Sequence, residues 1–94
     1  MTIWRRAARR DANEATIFKL ARAMGWLIYP TSKPVDAIGL FRGRWHVIEV
    51  KTEEGKLTKA QKDFSVDIAC AHGEMLIWRT CDDVLKDCDR LIAG

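Results

Sequence analysis

The chain has 94 residues, 48% of them apolar, and a formal net charge of +3. That length fits one domain with a small core, one that gains from pairing with a copy of itself, and no apolar run approaches the roughly 20 residues a membrane span needs. Arg5, Arg6, Arg9 and Arg10 supply more than the whole net charge, so the basic excess is confined to the N-terminal segment and the remainder is slightly acidic.

That segment, MTIWRRAARR, has no apolar stretch of the kind a secretory signal carries. Four arginines beside Trp4 are what a phosphate backbone attracts, with Trp4 able to stack on a base. A solvated chain end explains them as well. A helix is expected over 11–24. Asp11 suits the N-cap, Ile17, Phe18, Ala21 and Met24 recur at helical spacing, and Gly25 ends the run. Glu14 falls on the same stripe, within about 60° of Ile17, Phe18 and Ala21. An acid facing a core needs a cation or a donor, unless Glu14 is simply the third residue of a capping box opened by Asp11. WLIY (26–29) reads as a short strand. Pro30 and Pro34 then bound a loop whose Ser32 and Lys33 are either phosphate contacts or ordinary loop polars.

VDAIGLF (35–41) and RWHVIEVK (44–51) read as strands joined by the turn Arg42-Gly43, a hairpin signal. Alternation puts Val47, Glu49 and Lys51 on one face and His46, Ile48 and Val50 on the other, so His46 is read as structural. In such a hairpin Asp36 sits across from Glu49 or Lys51. Two converging carboxylates repel unless something positive lies between them. Mg²⁺ meets that need, taking one or two carboxylates plus water and phosphate oxygens. A neighbouring lysine can polarise water or offset charge on a phosphate, which completes the equipment for metal-assisted phosphodiester hydrolysis. Glu-x-Lys alone is a common triplet. Glu54-Gly55-Lys56 matches it too, in a loop with glycine at its centre. An exposed Glu–Lys pair on a sheet face is the plain alternative.

A second helix fits 59–72, with Thr58 as N-cap, Gly73 as C-terminal stop, and Ala60, Phe64, Ile68 and Ala71 as its inner stripe. Gln61 shares the face of Phe64 and Ile68, yet Thr58-x-x-Gln61 is also a capping box. Lys56, Lys59 and Lys62 gather at the start of this helix, as phosphate contacts or as a solvated face. MLIWR (75–79) reads as a strand. A last helix over 81–92 sets Val84, Leu85, Cys88, Leu91 and Ile92 on one side. The order α-β-β-β-α-β-α suggests an α/β sandwich with a mixed sheet. The link between the third and fourth strands is long enough for a parallel crossover. Trp26, Trp45 and Trp78 are core or dimer-contact residues. Cys70, Cys81 and Cys88 are odd in number and lack a CxxC pattern, which favours reduced thiols in a cytosol. Cys70, His72 and Cys81 lack the spacing of zinc ligands.

Glu14, Asp36, Glu49-Val50-Lys51 and LTKAQKDF (57–64) together resemble the PD-(D/E)xK nuclease superfamily. Within it the chain is most similar to small stand-alone virus-type replication-repair nucleases (VRR-NUC), and next to archaeal-type Holliday junction resolvases. The resemblance covers roughly residues 11–80, and the Leu-Thr-x-x-Gln-x-x-Phe run is its more specific part. It implies a restriction-endonuclease-like α-β-β-β-α-β core. It also implies a Mg²⁺ or Mn²⁺ ion held by Asp36, Glu49 and the Val50 backbone carbonyl. Lys51 would orient the attacking water, Glu14 would assist as an outer ligand, and Gln61 would support Lys51 or the phosphate. Its members are typically homodimers that cut branched or structured DNA, which implies a bacterial or phage-infected cytoplasm. The proline that usually adjoins the first acid is displaced here, as Pro34-Val35-Asp36. With no appended DNA-reading domain, recognition by DNA shape is expected over base readout. Two rival expectations stand: a nucleic-acid-binding module with an idle acidic site, and a scaffold domain with the Glu–Lys strand at a dimer interface.

Overall fold

The structure is a computed structural model and describes residues 13–94. Trp4, Arg5, Arg6, Arg9, Arg10 and Asp11 lie outside the described residues. The elements run α1 (Glu14–Ala23), β1 (Leu27–Pro30), β2 (Ala37–Phe41), β3 (Arg44–Val50), α2 (Lys59–Cys70), β4 (Met75–Trp78) and α3 (Cys81–Ala93). This is the expected order, with ends shifted by at most three residues. The sheet order is β1-β2-β3-β4. The first two pairings are antiparallel, and β3 pairs with β4 in parallel through the α2 crossover. None of the helices among the described residues is long and apolar enough to cross a membrane.

Strand alternation divides the sheet into two unlike faces. The inner face carries Ile28, Ala37, Phe41, Ile48, Val50, Leu76 and Trp78, all buried with Ile17, Phe18 and Ala21 of α1 and Val84 and Cys88 of α3. Trp26 sits at the centre. Its ring stacks on Phe41 at 4.7 Å and meets Trp78 edge-on at 5.1 Å, and its N–H donates to the Cys88 sulfur at 3.3 Å. Such aromatic pairs are worth about 1 kcal/mol each beyond the area they bury. Gly39 makes room for this arrangement. A β-carbon there would stand 2.7 Å from the Ile48 Cδ1 and 2.9 Å from the Trp26 ring, so any side chain would overpack the core.

The described residues cover the outer face only in part. Helix α2 lies over it, but none of the α2 residues is fully buried. Ala60 and Ala71, expected on its inner stripe, are exposed, while Phe64 and Ile68 are half-buried. Helix α3 shows a similar narrowing: Val84 and Cys88 are buried, Leu91 half-buried, and Leu85 and Ile92 exposed. Periodicity identified which side faces the sheet, but it overstated how much of that side the sheet covers.

Three helix boundaries also differ from expectation. The N-cap of α1 is Asn13, so Glu14 is its first residue rather than the third residue of a box opened at Asp11. Helix α2 stops at Cys70, and His72, not Gly73, takes the left-handed conformation (φ 64°) that closes it. The Gly73 N–H then reaches the Ile68 carbonyl at 2.8 Å and the His72 N–H reaches Ala69 at 3.0 Å, the paired bonds of a Schellman motif. Helix α3 opens with an unanticipated capping box, in which Thr80 and Asp83 satisfy each other's backbone N–H. The β2–β3 turn is the expected Arg42-Gly43, both left-handed (φ 52° and 85°), as a two-residue hairpin requires.

Candidate active site

The acidic group forms where β2 begins and β3 ends. Ala37 pairs with Ile48, so one step further along the register Asp36, the residue just ahead of β2, stands opposite Glu49. Both fall on the outer face, and the Asp36 Oδ2 accepts the Val50 N–H at 2.8 Å. A residue's N–H and C=O leave a strand by the same edge, so the Val50 carbonyl also emerges beside Asp36. Lys51 directly follows β3. Its N–H bonds to the Trp78 carbonyl at 3.1 Å, and its ammonium lies 3.4 Å from the Glu49 Oε2.

Glu49 is only 3% exposed although it is a carboxylate on an otherwise open face. Its Oε2 accepts the Gln61 side-chain amide at 2.8 Å as well as facing Lys51. Its Oε1 is buried and has no hydrogen-bond partner. Burial, then the charge of Asp36 within hydrogen-bonding reach, push Glu49 up to about 7 against the opposing pull of Lys51. The two acids thus crowd one point, and the charge they need between them is only partly supplied by the lysine.

Gln61 caps α2 and also reaches the acid pair, at Glu49 rather than at Lys51 or a phosphate as the resemblance implied. Its Oε1 accepts the Thr58 N–H at 3.0 Å and its backbone N–H donates to the Thr58 Oγ1 at 3.2 Å, which closes the capping box. The remaining Nε2 is then free to hold Glu49. One amide ties the start of α2 to the acid pair.

Glu14, 7% exposed, lies at the first position of α1. The structure does not join it to Asp36 and Glu49 as a third ligand: among the described residues no group of three or more His, Cys, Asp or Glu could hold a metal ion. Ser32, Lys33, Lys56 and Lys59 are exposed, the first two in the loop before Asp36, the others at the entry to α2. Lys59 is occupied by Asp63 at 2.9 Å. His46 is 8% exposed on the inner face, as alternation foretold.

Two supporting residues were not anticipated. The Asn13 amide donates to the Lys51 carbonyl at 3.2 Å and to the Arg79 carbonyl at 2.9 Å, so the start of α1 clasps the ends of β3 and β4. The Arg79 guanidinium donates to the carbonyls of Thr52 (2.8 Å) and Gly55, pinning the loop between β3 and α2. Both act through backbone carbonyls, which leave no side-chain pattern to read.

The donor set fits a hard divalent cation: two adjacent carboxylates, a strand-end carbonyl beside them, and an oxygen with no donor of its own. Mg²⁺ commonly takes one or two carboxylates and keeps several waters. Comparison with family models, curated proteins and solved structures returns no match for this chain.

Proposed function

We propose that this chain is a divalent-metal-dependent deoxyribonuclease of the PD-(D/E)xK type, with a restriction-endonuclease-like core nearest to the VRR-NUC domains. Its substrate is branched or otherwise structured DNA, cut by a homodimer in a bacterial or phage-infected cytoplasm. The single observation that carries this reading is the unpartnered Glu49 Oε1, buried beside the Asp36 carboxyl with Lys51 and Gln61 on its other oxygen.

Asp36, Glu49 and the Val50 carbonyl would hold a Mg²⁺ or Mn²⁺ ion, and Glu14 would serve it from the outer shell through water. Such an ion supplies Lewis-acid polarisation of the phosphate and a more acidic water. The chain's own contribution is positioning. Gln61 fixes one Glu49 oxygen and leaves the other directed at Asp36. Lys51 presents a positive charge where a phosphate would gather negative charge during attack. Ser32, Lys33, Lys56 and Lys59 would serve as phosphate contacts, Lys59 by exchanging its exposed pair with Asp63 for a phosphate. Water adds to phosphorus, the bond to the 3′ oxygen breaks, and that oxygen leaves with a proton. The products are a 5′-phosphate and a 3′-hydroxyl.

The test is a cleavage assay on end-labelled four-way junction, flap and linear duplex in Mg²⁺, Mn²⁺ or EDTA. Cutting is expected only with metal. Asp36→Ala and Lys51→Ala are expected to lower it by about 100-fold or more while DNA affinity holds and each variant stays folded at the assay temperature. Salt-sensitive binding with no metal-dependent turnover of any DNA would replace this reading with a non-catalytic nucleic-acid-binding module.

A further inference from the structure

The ladder between β3 and β4 stops where Lys51 is half-paired. Val50 pairs with Trp78, so one step further Lys51 stands opposite Arg79. In a parallel ladder a residue donates its N–H to one neighbour of its partner and its carbonyl accepts the N–H of the other. The Lys51 N–H does donate to the Trp78 carbonyl, at 3.1 Å. The donor due to the Lys51 carbonyl is the Thr80 N–H. That group is committed instead to the Asp83 carboxylate, at 3.1 Å, by the capping box that opens α3.

Asn13 supplies the missing donor. Its amide nitrogen donates to the Lys51 carbonyl at 3.2 Å and to the Arg79 carbonyl at 2.9 Å, so one side chain bridges the two strands where their own ladder ends. An asparagine at a helix start ordinarily accepts an N–H from its own first turn. Asn13 makes no such bond. Its Oδ1 is buried with no hydrogen-bond partner among the described residues. The side chain is thus committed to the strand ends and not to its own helix, at the cost of an unsatisfied oxygen. Such an exception calls for an explanation.

The residue it holds provides one. Lys51 is the last residue before the chain leaves the sheet, into a turn closed by the Gly55 N–H on the Thr52 carbonyl at 3.1 Å. A lysine ammonium rides on a flexible four-carbon stem, so where it points depends on how firmly its backbone is fixed. Here the Val50 N–H is held by Asp36, the Lys51 N–H by Trp78 and the Lys51 carbonyl by Asn13. The ammonium so directed lies 3.4 Å from the Glu49 Oε2, with the side chain only 17% exposed. We propose that Asn13 is a positioning residue: by holding the Lys51 carbonyl it directs the Lys51 ammonium at Glu49. Its bearing on reaction rate rests on the nuclease reading above; its bearing on the ammonium does not.

The test has one arm that needs no activity. In protein carrying ¹⁵N-labelled lysine, the Lys51 ammonium resonance is assigned by its loss in Lys51→Arg, and it should stand apart from those of exposed lysines such as Lys62. Asn13→Leu keeps the size of the side chain and removes both donors. It should move the Lys51 resonance toward the exposed group while the other lysine signals stay in place. Asn13→Gln keeps the donors on a longer arm and should move it less. The second arm is single-turnover cleavage of the preferred DNA. Asn13→Leu should slow it by about 10-fold, as a small misplacement of a reacting group does, with DNA affinity in EDTA unchanged. In a Lys51→Ala background the same substitution should change the rate by no more than about twofold, because Asn13 acts through Lys51. A residue that only stabilised the fold would slow both backgrounds alike. No cutting by the unaltered chain would end the nuclease reading and leave the resonance to decide this proposal. The proposal is overturned if the Lys51 resonance is unmoved in Asn13→Leu (or in Asn13→Gln, should the leucine variant not fold), or if Asn13→Leu slows the Lys51→Ala chain as much as the unaltered one.

Discussion

At the residue scale the most consequential group is Glu49. Burial and the adjacent Asp36 carboxyl raise its pKa from an ordinary 4.5 to about 7. The folded chain therefore holds a proton that the unfolded chain has released between these two values. By linkage, this group's contribution to stability is complete below about pH 4.5 and is lost as pH rises through about 7. In EDTA the metal-free chain should thus lose stability from pH 5 to 8, and Glu49→Gln should flatten that dependence and be the more stable of the two at pH 8. Denaturant unfolding at both pH values checks this, and a parallel loss in both proteins would refute it. Saturating Mg²⁺ should counteract the loss at pH 8, because only the ionised carboxylate binds a cation. Much of this site was legible beforehand. Strand alternation alone puts Glu49 and Lys51 on one side and His46 on the other, and the hairpin brings in Asp36. The depth of Glu49, however, depends on a helix twelve residues away in sequence, from which Gln61 reaches it. No local pattern records that.

At the scale of elements, α2 is the least secured. It has no fully buried residue, and an isolated helix of its length is marginal in water. Its capping box is therefore a larger share of what holds it than the matching box at α3, whose Val84 and Cys88 anchor that helix in the core. Thr58→Ala and Thr80→Ala each remove one cap and should each cost about 1 kcal/mol. Their effects on cutting should part company. Thr58→Ala frees the Gln61 backbone from the cap and loosens the amide on Glu49, so DNA cleavage should fall several-fold. Thr80→Ala should leave the rate nearly unchanged. Equal loss of rate in the two variants would mean that Gln61 matters to stability alone. The contrast also explains which parts of α2 could be read. Thr58 and Gln61 were evident because a capping box is a fixed local spacing. The closing residue was misplaced by one because His72 and Gly73 are adjacent, and helix geometry, not composition, decided between them. Ala60 and Ala71 were assigned inward because a helical stripe records direction but not the width of the surface beneath it.

At the scale of the molecule, the outer sheet face beyond α2 is left uncovered by the described residues. Leu27 and Leu40 are paired across β1 and β2, as are Tyr29 and Ile38, and Leu27, Tyr29 and Ile38 are all exposed. This contiguous apolar surface is where the proposed second copy would sit. The chain would meet it face to face rather than by extending the sheet, because Pro30 removes a donor from the outer edge of β1. The patch spans two strands at about 4.8 Å and four residues at about 3.3 Å, or about 10 Å by 13 Å. That is well short of the roughly 800 Å² that each partner buries in a standard stable interface. The dimer expected is therefore a weak one, strengthened when two sites engage one branched DNA, because the second engagement is then intramolecular. Sedimentation should show a monomer at low micromolar concentration that associates as concentration rises, and a dimer at lower concentration when a four-way junction is added. Tyr29→Lys places a charge in the middle of the patch. It should abolish self-association without lowering the unfolding temperature of the monomer, since Tyr29 is 54% exposed there. On the junction it should turn paired cuts into single nicks while leaving the rate of each cut within a factor of about three, as expected for a surface change remote from the chemistry. A monomer at every concentration, or a Tyr29→Lys chain that still pairs, would move the contact elsewhere on the molecule and leave this face for another partner.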